Sequence, residues 1–156
     1  MVNSQFGAIL KEFETFFNCN LEPDENDSCM INMGIGISVQ IELDRYGFIV
    51  LGCRLGSVPM GSFRNDLVKK ALISNDTTLP STGIIGFSQK SSQFILYSKI
   101  SPNTLTPAQI LALLPPFAEK AKLWTECITK GELPPVADEN SDPKKSSGIF
   151  GLISGE

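Results

Sequence analysis

The stretch GISVQIELDRYGFIVLGCRL, residues 36–55, decides the fold because it contains two strands and the turn between them. From Ile35 to Leu43 apolar residues alternate with polar or small ones, a period of two that is typical of a strand with one buried face. LDRYG at 43–47 supplies a polar turn, and FIVLGCRL at 48–55 is apolar almost throughout. A run of that kind is typical of a central strand covered on both faces, so the stretch predicts a hairpin inside a sheet.

Upstream of the hairpin, the pattern changes from a period of two to helical spacing. Apolar residues recur every three or four positions from Ser4 to Asn18, which predicts an amphipathic helix. Its apolar stripe consists of Phe6, Ile9, Leu10, Phe13, Phe16 and Phe17. The polar segment LEPDENDSC follows as a loop, and Met30 to Asn32 begins a first strand.

Downstream, the predicted order is a short helix, two strands and a long helix. Ser62 is the expected cap of a helix that runs from Phe63 to Ser74, and IIGFS and QFILYSKI are strands. Thr106 is the expected cap of the last helix, which ends at Gly131. The prolines at 115 and 116 predict a bend or a split in that helix, because each removes a backbone donor and clashes with the preceding turn.

These elements predict an α+β fold with the order α-β-β-β-α-β-β-α, in which helices back a twisted antiparallel sheet. The chain has 156 residues, a length that suits one hydrophobic core, and we expect a single domain over residues 1–133. Residues 134–156 are polar and rich in Pro and Lys except for the final GIFGLI. Their composition predicts a disordered C-terminal tail.

The charge balance and the N-terminus exclude two classes of partner. The chain has 13 basic and 17 acidic residues, so it lacks the clustered positive charge that binding to nucleic acid requires. Its N-terminus has no basic region before an apolar run, and no run approaches the roughly 18 residues of a membrane span. We therefore expect a cytoplasmic protein that neither binds nucleic acid nor inserts into a membrane.

The residues that commonly perform catalysis are scarce. The chain contains no histidine, and its four cysteines are far apart with no CxxC pair. The acidic residues Asp24, Glu25 and Asp27 lie in the polar loop, where a solvated turn is the ordinary interpretation. The sequence therefore predicts no enzyme, no metal and no cofactor, and it favours a protein that works by binding.

Three stretches and the element order resemble a known family. VQIELDRYGFIVLGCRLGSVP at 39–59, FRNDLVKKAL at 63–72 and LWTECITKGELP at 123–134 are similar to the class I type III secretion chaperones, the CesT and SycE family. The resemblance covers residues 4–133 and is greatest to the chlamydial SycE-like chaperones. The doubled proline in the last helix departs from the family pattern.

The resemblance implies how the chain works. Such chaperones are dimers that hold the N-terminal segment of a secreted effector in an extended, non-globular state, ready for export and without ATP. The implied partners are a secreted effector or gatekeeper protein, an identical or related chaperone subunit, and components of the secretion apparatus. The hairpin would then be a recognition surface, since an extended peptide gains affinity by pairing with a sheet edge and filling neighbouring pockets.

Two sets of residues are candidates for these contacts, and both sets are also core candidates. The effector-binding candidates are Phe6, Phe13, Ile31, Ile37, Val39 and Ile41. The dimer-interface candidates, placed by the family resemblance, are Phe63, Leu67, Val68, Leu72, Ile84 and Ile85. The alternative function is a small-ligand-binding domain, which predicts a stable monomer whose sheet encloses an apolar cavity.

Overall fold

The computed structural model of the protein describes residues 4–76 and 82–135. The helices are α1 (Ser4–Phe17), α2 (Ser62–Asn75) and α3 (Pro107–Lys130). The strands are β1 (Ser28–Asn32), β2 (Ser38–Leu43), β3 (Ile49–Ser57), β4 (Ile84–Ser88) and β5 (Gln93–Ile100). The predicted element order and fold class are confirmed. Most of the predicted tail, residues 136–156, lies outside the described residues.

The five strands form one antiparallel sheet in the order β1-β2-β3-β5-β4. The predicted hairpin is formed by β2 and β3, which pair from Gln40 with Gly52 to Leu43 with Ile49. β3 is the central strand and pairs with β5 along its whole length. The hairpin therefore provides the middle of the sheet, and β1 and β4 are its two edges.

One face of the sheet carries the core. The side chains of Val39, Ile41, Leu51 and Leu96 point to this face and are wholly buried. They form one cluster with the apolar stripes of α1 and α3, whose largest buried members are Phe6, Phe13, Phe117 and Trp124. Both long helices are thus held by burial of large apolar side chains, each of which contributes about 1.5 to 3 kcal/mol relative to exposure.

The opposite face of the central strand is open in this chain. Along β3, buried residues alternate with the half-exposed Val50 and Gly52 and the exposed Arg54. The prediction that this strand is covered on both faces is therefore wrong for the single chain. The apolar run was misleading because the outward positions contain Val and Gly, which look like core residues in a sequence.

The last helix is capped as predicted but is not split by its prolines. Thr106 Oγ1 accepts a hydrogen bond from the backbone N–H of Gln109 at 3.2 Å, and Gly131 ends the helix in the left-handed conformation, with φ of 71°. α3 runs unbroken through Pro115 and Pro116, both of which lie on its exposed side. Burial of the opposite side against the core offsets the backbone hydrogen bonds that the prolines remove.

Two turns position the strands. Asp44 closes the turn of the hairpin, because its Oδ1 accepts hydrogen bonds from the backbone N–H groups of Tyr46 at 2.8 Å and Phe48 at 2.9 Å. Its Oδ2 lies 2.9 Å from Lys99 Nζ on β5, and this hydrogen bond holds the pKa of the Asp44 carboxyl below its ordinary value. Between β1 and β2, Gly34 and Gly36 have φ of 76° and 78°, a conformation that glycine adopts without strain.

The second helix starts one residue earlier than predicted. Ser62 is its first residue, and Gly61 occupies the cap position without a side-chain hydrogen bond. The prediction that Ser62 caps the helix is therefore wrong. Leu67 and Ala71 bury this helix against the core beside β4, and its other apolar residues are less covered.

Candidate functional site

The six predicted effector-binding residues all lie in the core of this chain. Phe6, Phe13, Val39 and Ile41 are wholly buried, and Ile31 and Ile37 are almost so. Of the six, only Ile37 also lines a cavity on the sheet surface. Each therefore has a packing role, and a contact with an effector stays a prediction.

The six predicted interface residues separate into three pairs. Leu67 and Ile85 are buried within the chain, and Phe63 and Val68 are half-buried. Leu72 is 65% exposed and Ile84 is 42% exposed. The structure thus leaves the last two free to touch another subunit, and the assignment of all six to an interface stays a prediction.

The open face of the sheet holds a cavity of about 630 Å3, which we call the outer groove. Its floor and walls come from four neighbouring strands, and it extends to Ile37 at one end of β2 and to Thr125 of α3. The outward-facing strand residues that line the outer groove are Met30, Ser38, Gln40, Glu42, Val50, Gly52, Arg54, Ile95 and Tyr97. An alternation of inward and outward side chains places them on the face opposite the core.

A row of paired residues crosses this face at right angles to the strands. Met30 pairs with Gln40, Gln40 with Gly52, Gly52 with Tyr97, and Tyr97 with Ile84. Met30 is 57% exposed and Tyr97 is 37% exposed. Tyr97 therefore lies directly beside the central glycine, whereas Gln40 separates Met30 from it.

Gly52 keeps the middle of the outer groove empty. A Cβ atom built on Gly52 would meet no heavy atom within 4 Å. Its backbone does not lie in the left-handed region, so the conformation of the strand does not require glycine here. The effect of this glycine is to leave room above the sheet for a side chain from another molecule.

The polar groups of the outer groove are only partly satisfied. Gln40 Nε2 donates to Ser28 Oγ at 2.7 Å and to Glu42 Oε2 at 3.2 Å. The hydroxyl oxygen of Thr125 is buried and has no hydrogen-bond partner among the described residues. That oxygen has almost no exposed surface, so a bound molecule would meet Gln40 and Glu42 instead.

The two edges of the sheet differ in how far they are blocked. On β4, the side chain of Asn75 binds both backbone groups of Ile85, donating to its carbonyl at 2.8 Å and accepting from its N–H at 2.9 Å. An amide that satisfies both groups takes the place of a neighbouring strand at that residue. The helix α2 therefore protects the β4 edge.

The edge at β1 is open in its second half. At the two ends of this pairing, the Leu43 N–H donates to Asp27 O at 3.1 Å and the Met33 N–H donates to Ile37 O at 2.9 Å. Hydrogen-bonded and non-hydrogen-bonded residue pairs alternate between these two bonds, which fixes which residues of β1 bond to β2. By this alternation, the backbone N–H and C=O groups of Met30 and Asn32 point away from β2. Only Ser28, at the start of β1, is closed on this side, by Asp24.

The chemistry available near this face is binding and not bond making. Burial raises the pKa of the Cys29 thiol to about 11, and the pKa of Cys53 is also raised by burial, so neither is a thiolate near neutral pH. No group of three or more Cys, Asp or Glu residues among the described residues could hold a metal ion. The described helices include none that is long and apolar enough to cross a membrane.

One of the cysteines should react far faster than the others. Cys19 is exposed, whereas Cys29, Cys53 and Cys127 are buried. We expect iodoacetamide at pH 8 to add one carbamidomethyl group to the native protein, on Cys19, and four after denaturation in urea, because four cysteines are present. Peptide mass spectrometry identifies the site, with Cys19→Ser as the control, and rapid labelling of Cys29 in the native protein would contradict the structure.

The sequence pattern missed the residues that form the outer groove. The pattern assigns Met30, Gly52, Arg54 and Tyr97 to strands and gives them no binding role. The alternation along each strand could have identified them as outward-facing, since each lies one position away from a buried residue on its own strand. That β5 lies beside β3 could not be read from the sequence, and the row across the sheet depends on that pairing.

The family model for the Tir chaperone protein (CesT) family matches residues 8–125, which is most of the chain. No curated protein sequence matches. The matching family is one of chaperones and not of enzymes.

Several solved structures share the fold. The Yersinia pestis type III secretion chaperone SycH, in complex with a stable fragment of YscM2, is 18% identical with a TM-score of 0.58, over 75% of this chain and 97% of that chain. The HopA1-SchA chaperone-effector complex is 17% identical with a TM-score of 0.64, over 78% and 94%. The ExoT-SpcS complex from Pseudomonas aeruginosa is 16% identical with a TM-score of 0.61, over 78% and 97%. At these identities the similarity establishes the fold.

Proposed function

This chain belongs to the Tir chaperone protein (CesT) family, and from that premise we propose that it is a cytoplasmic type III secretion chaperone. Its client is the N-terminal segment of a secreted effector or gatekeeper protein, held in an extended, non-globular state until export. The chaperone acts by binding alone, without catalysis and without a cofactor. Two chains with this fold are known from a chaperone-effector complex and from a chaperone bound to a protein fragment, which supports a client of this kind.

The observation that carries the proposal is that the open edge of β1 adjoins the outer groove. A client strand beside β1 can pair with the outward backbone groups of Met30 and Asn32. Its alternate side chains then lie beside Met30 at the rim of the outer groove, and a further stretch of the client can cross the open face above Gly52. Main-chain pairing and spread apolar contacts suit a client that has no fixed fold.

The predicted effector-binding residues keep a part in this proposal. Ile37 contacts the client directly, because it lines the outer groove. Phe6, Phe13, Ile31, Val39 and Ile41 act from the core, where they hold the sheet that the client contacts.

We propose a dimer through α2 and β4, with Leu72 and Ile84 as its exposed apolar contacts. Their side chains are exposed in the single chain, and the hydrogen bonds of Asn75 keep α2 beside β4. Phe63 and Val68 are half-buried and extend the apolar surface, while Leu67 and Ile85 support it from inside. The partner is a second copy of this chain or a related chaperone.

The finer placement among the chlamydial SycE-like chaperones rests on the three sequence stretches alone and is part of the proposal. So is the division into one domain over residues 1–133 and a disordered tail over residues 134–156. Components of the secretion apparatus are proposed as further partners, because a client held ready for export has to be delivered to them.

The test of the function is to purify the tagged full-length chain from its own bacterium and to measure hydrogen exchange on the co-purifying client. We expect one secreted protein, with protection confined to a segment near its N-terminus that lacks a globular fold. A client whose bound segment keeps a cooperatively folded core would contradict the proposal. A stable monomer that retains a small molecule instead would favour the ligand-binding alternative.

Replacing Met30 by Pro should weaken the client complex by tenfold or more while leaving the fold intact. The N–H that proline removes points away from β2, so no hydrogen bond inside the sheet is lost, and an edge strand tolerates proline there. The client would lose a main-chain hydrogen bond and meet the proline ring. Titration of the purified client segment measures the loss.

The control is Met30→Ala, which removes the side chain and keeps the N–H. We expect it to weaken binding less than Met30→Pro does, with both variants unfolding at about the temperature of the wild type. Equal losses in the two variants would show that the β1 edge does not pair with the client.

A further inference from the structure

Three positions on β3 line the outer groove along the direction of that strand. Val50, Gly52 and Arg54 point to the open face in turn. Successive side chains on one face of a strand are separated by about 7 Å, so the first and last of these positions lie about 13 Å apart. An extended peptide that lies along β3 repeats at the same interval, and its alternate side chains can meet the three positions one by one.

The two ends of the outer groove carry opposite charges. Glu42 pairs across the strands with Val50 at one end, and Arg54 pairs with Ile95 at the other. Neither charged side chain forms an ion pair within the described parts of the chain. They are too far apart to neutralise each other directly, given the separation of about 13 Å along β3.

The cations and anions nearest to these ends are already engaged. Lys99 is paired with Val50 across the sheet, but its ammonium lies 2.9 Å from Asp44 Oδ2 and 4.4 Å from the centre of the Phe48 ring. The Glu42 carboxylate accepts a hydrogen bond from Gln40, a neutral donor. Glu42 and Arg54 are therefore the charges that a ligand in the outer groove would meet.

The middle of the outer groove suits a large apolar side chain. Gly52 provides an empty floor, with Tyr97 on one side of it in the cross-strand row and Gln40 on the other. A phenylalanine or leucine placed there would cover the backbone of Gly52 and the ring of Tyr97. Burying such a side chain is the main favourable term that this face can offer.

We propose that the outer groove, which a second stretch of the client crosses, selects extended segments that carry a basic and an acidic residue four positions apart with a large apolar residue midway between them. The basic side chain faces Glu42, the apolar one lies over Gly52, and the acidic one faces Arg54. This inference rests on the proposed function and specifies the client sequence that the same face recognises.

Three fluorescent synthetic peptides of 15 residues test the pattern against the full-length protein. Each has Ser and Thr around a central motif, which is Lys-x-Phe-x-Glu, Lys-x-Phe-x-Lys or Glu-x-Phe-x-Glu. Fluorescence polarisation should show that the wild type binds the first peptide about fivefold more tightly than the other two. That factor is the scale of one partly exposed ion pair.

Variants of the two charged residues should switch the preference. Arg54→Glu should bind Lys-x-Phe-x-Lys most tightly, and Glu42→Lys should bind Glu-x-Phe-x-Glu most tightly. The matched control is Lys11→Glu, which makes the same charge change as Arg54→Glu at an exposed residue of α1 and should leave the preference unchanged. Gly52→Leu should weaken all three peptides by tenfold or more without unfolding the protein, because its side chain enters empty space.

Several results would overturn the pattern. They are equal affinities for the three peptides, no binding up to 1 mM (about −4 kcal/mol), or a preference for a helical peptide that carries the same residues four positions apart. The proposed function is judged separately, by capture of a secreted client. If Arg54→Glu and the wild type capture that client equally well, the function stands and the charge pattern is wrong.

Discussion

Replacing Phe13 by Ala should lower the free energy of unfolding by about 3 to 5 kcal/mol, the usual cost of removing a buried phenylalanine. Phe13 lies on α1, has no exposed surface, and belongs to the cluster that joins α1, α3 and the sheet. The loss combines the apolar contacts of the ring with the cavity that it leaves. Urea denaturation followed by circular dichroism measures it directly.

The outcome separates two roles that the sequence leaves open for Phe13. A residue that anchors a client at the surface would weaken the complex by about 1 to 3 kcal/mol and leave the stability of the free protein almost unchanged. A core residue does the reverse. Phe16, three positions further along the same helix, is 65% exposed, and Phe16→Ala is therefore the matched control, with an expected loss below about 1 kcal/mol.

If Phe13→Ala unfolds at the same urea concentration as the wild type but binds the client more weakly, Phe13 is not a core residue in solution. Lower stability with client affinity unchanged at a temperature where the variant is folded would assign Phe13 to the core alone. Either result decides between the two roles.

Leu72→Asp should convert the proposed dimer into a folded monomer. Leu72 is 65% exposed in the single chain, so an aspartate there is solvated in the monomer and costs little. In the dimer the same carboxylate would be buried without a partner, which we expect to raise the dissociation constant by 100-fold or more, equivalent to about 3 kcal/mol. Light scattering across a range of protein concentrations measures the change.

Two further variants make this result specific. Leu67→Asp places the charge in the core beneath α2, where Leu67 is wholly buried, and should unfold the protein instead of separating its subunits. Leu123→Asp makes the same change at a 40% exposed residue of α3, outside the proposed interface, and should leave the dimer intact. If Leu72→Asp remains a dimer at micromolar concentration, the interface lies elsewhere on the protein.

Local patterns along the chain were enough to predict every helix and strand in order. The alternation from Val39 to Leu43 and the three- and four-residue spacing of α1 both report which side of an element is apolar, and that information is local. The ends of α3 were also predictable, because Thr106 and Gly131 act on backbone groups within a few residues. The absence of histidine and the wide spacing of the cysteines favoured binding over catalysis. Catalysis needs reactive groups, and their scarcity can be read from the composition.

The division of apolar residues between core and surface was decided only by the tertiary structure. Phe13 and Phe16 have the same side chain and lie on one predicted stripe, yet the first is buried beneath the sheet and the second is exposed. An apolar stripe shows which side of a helix faces the core, but not how many of its residues are buried. That number depends on the elements that pack against the helix. The same reason placed Leu67 inside and Leu72 outside on α2.

The outer groove also required the fold, because β1, β2 and β3 follow one another in the chain but β5 joins them only after α2 and β4. Gln40, Gly52 and Tyr97 lie side by side only when β5 is placed beside β3. The sequence alone determined that the chain makes a sheet with one strongly apolar side. The placement of β5 beside β3, which makes β3 the central strand and completes the open face, is set by long-range pairing that no local pattern encodes.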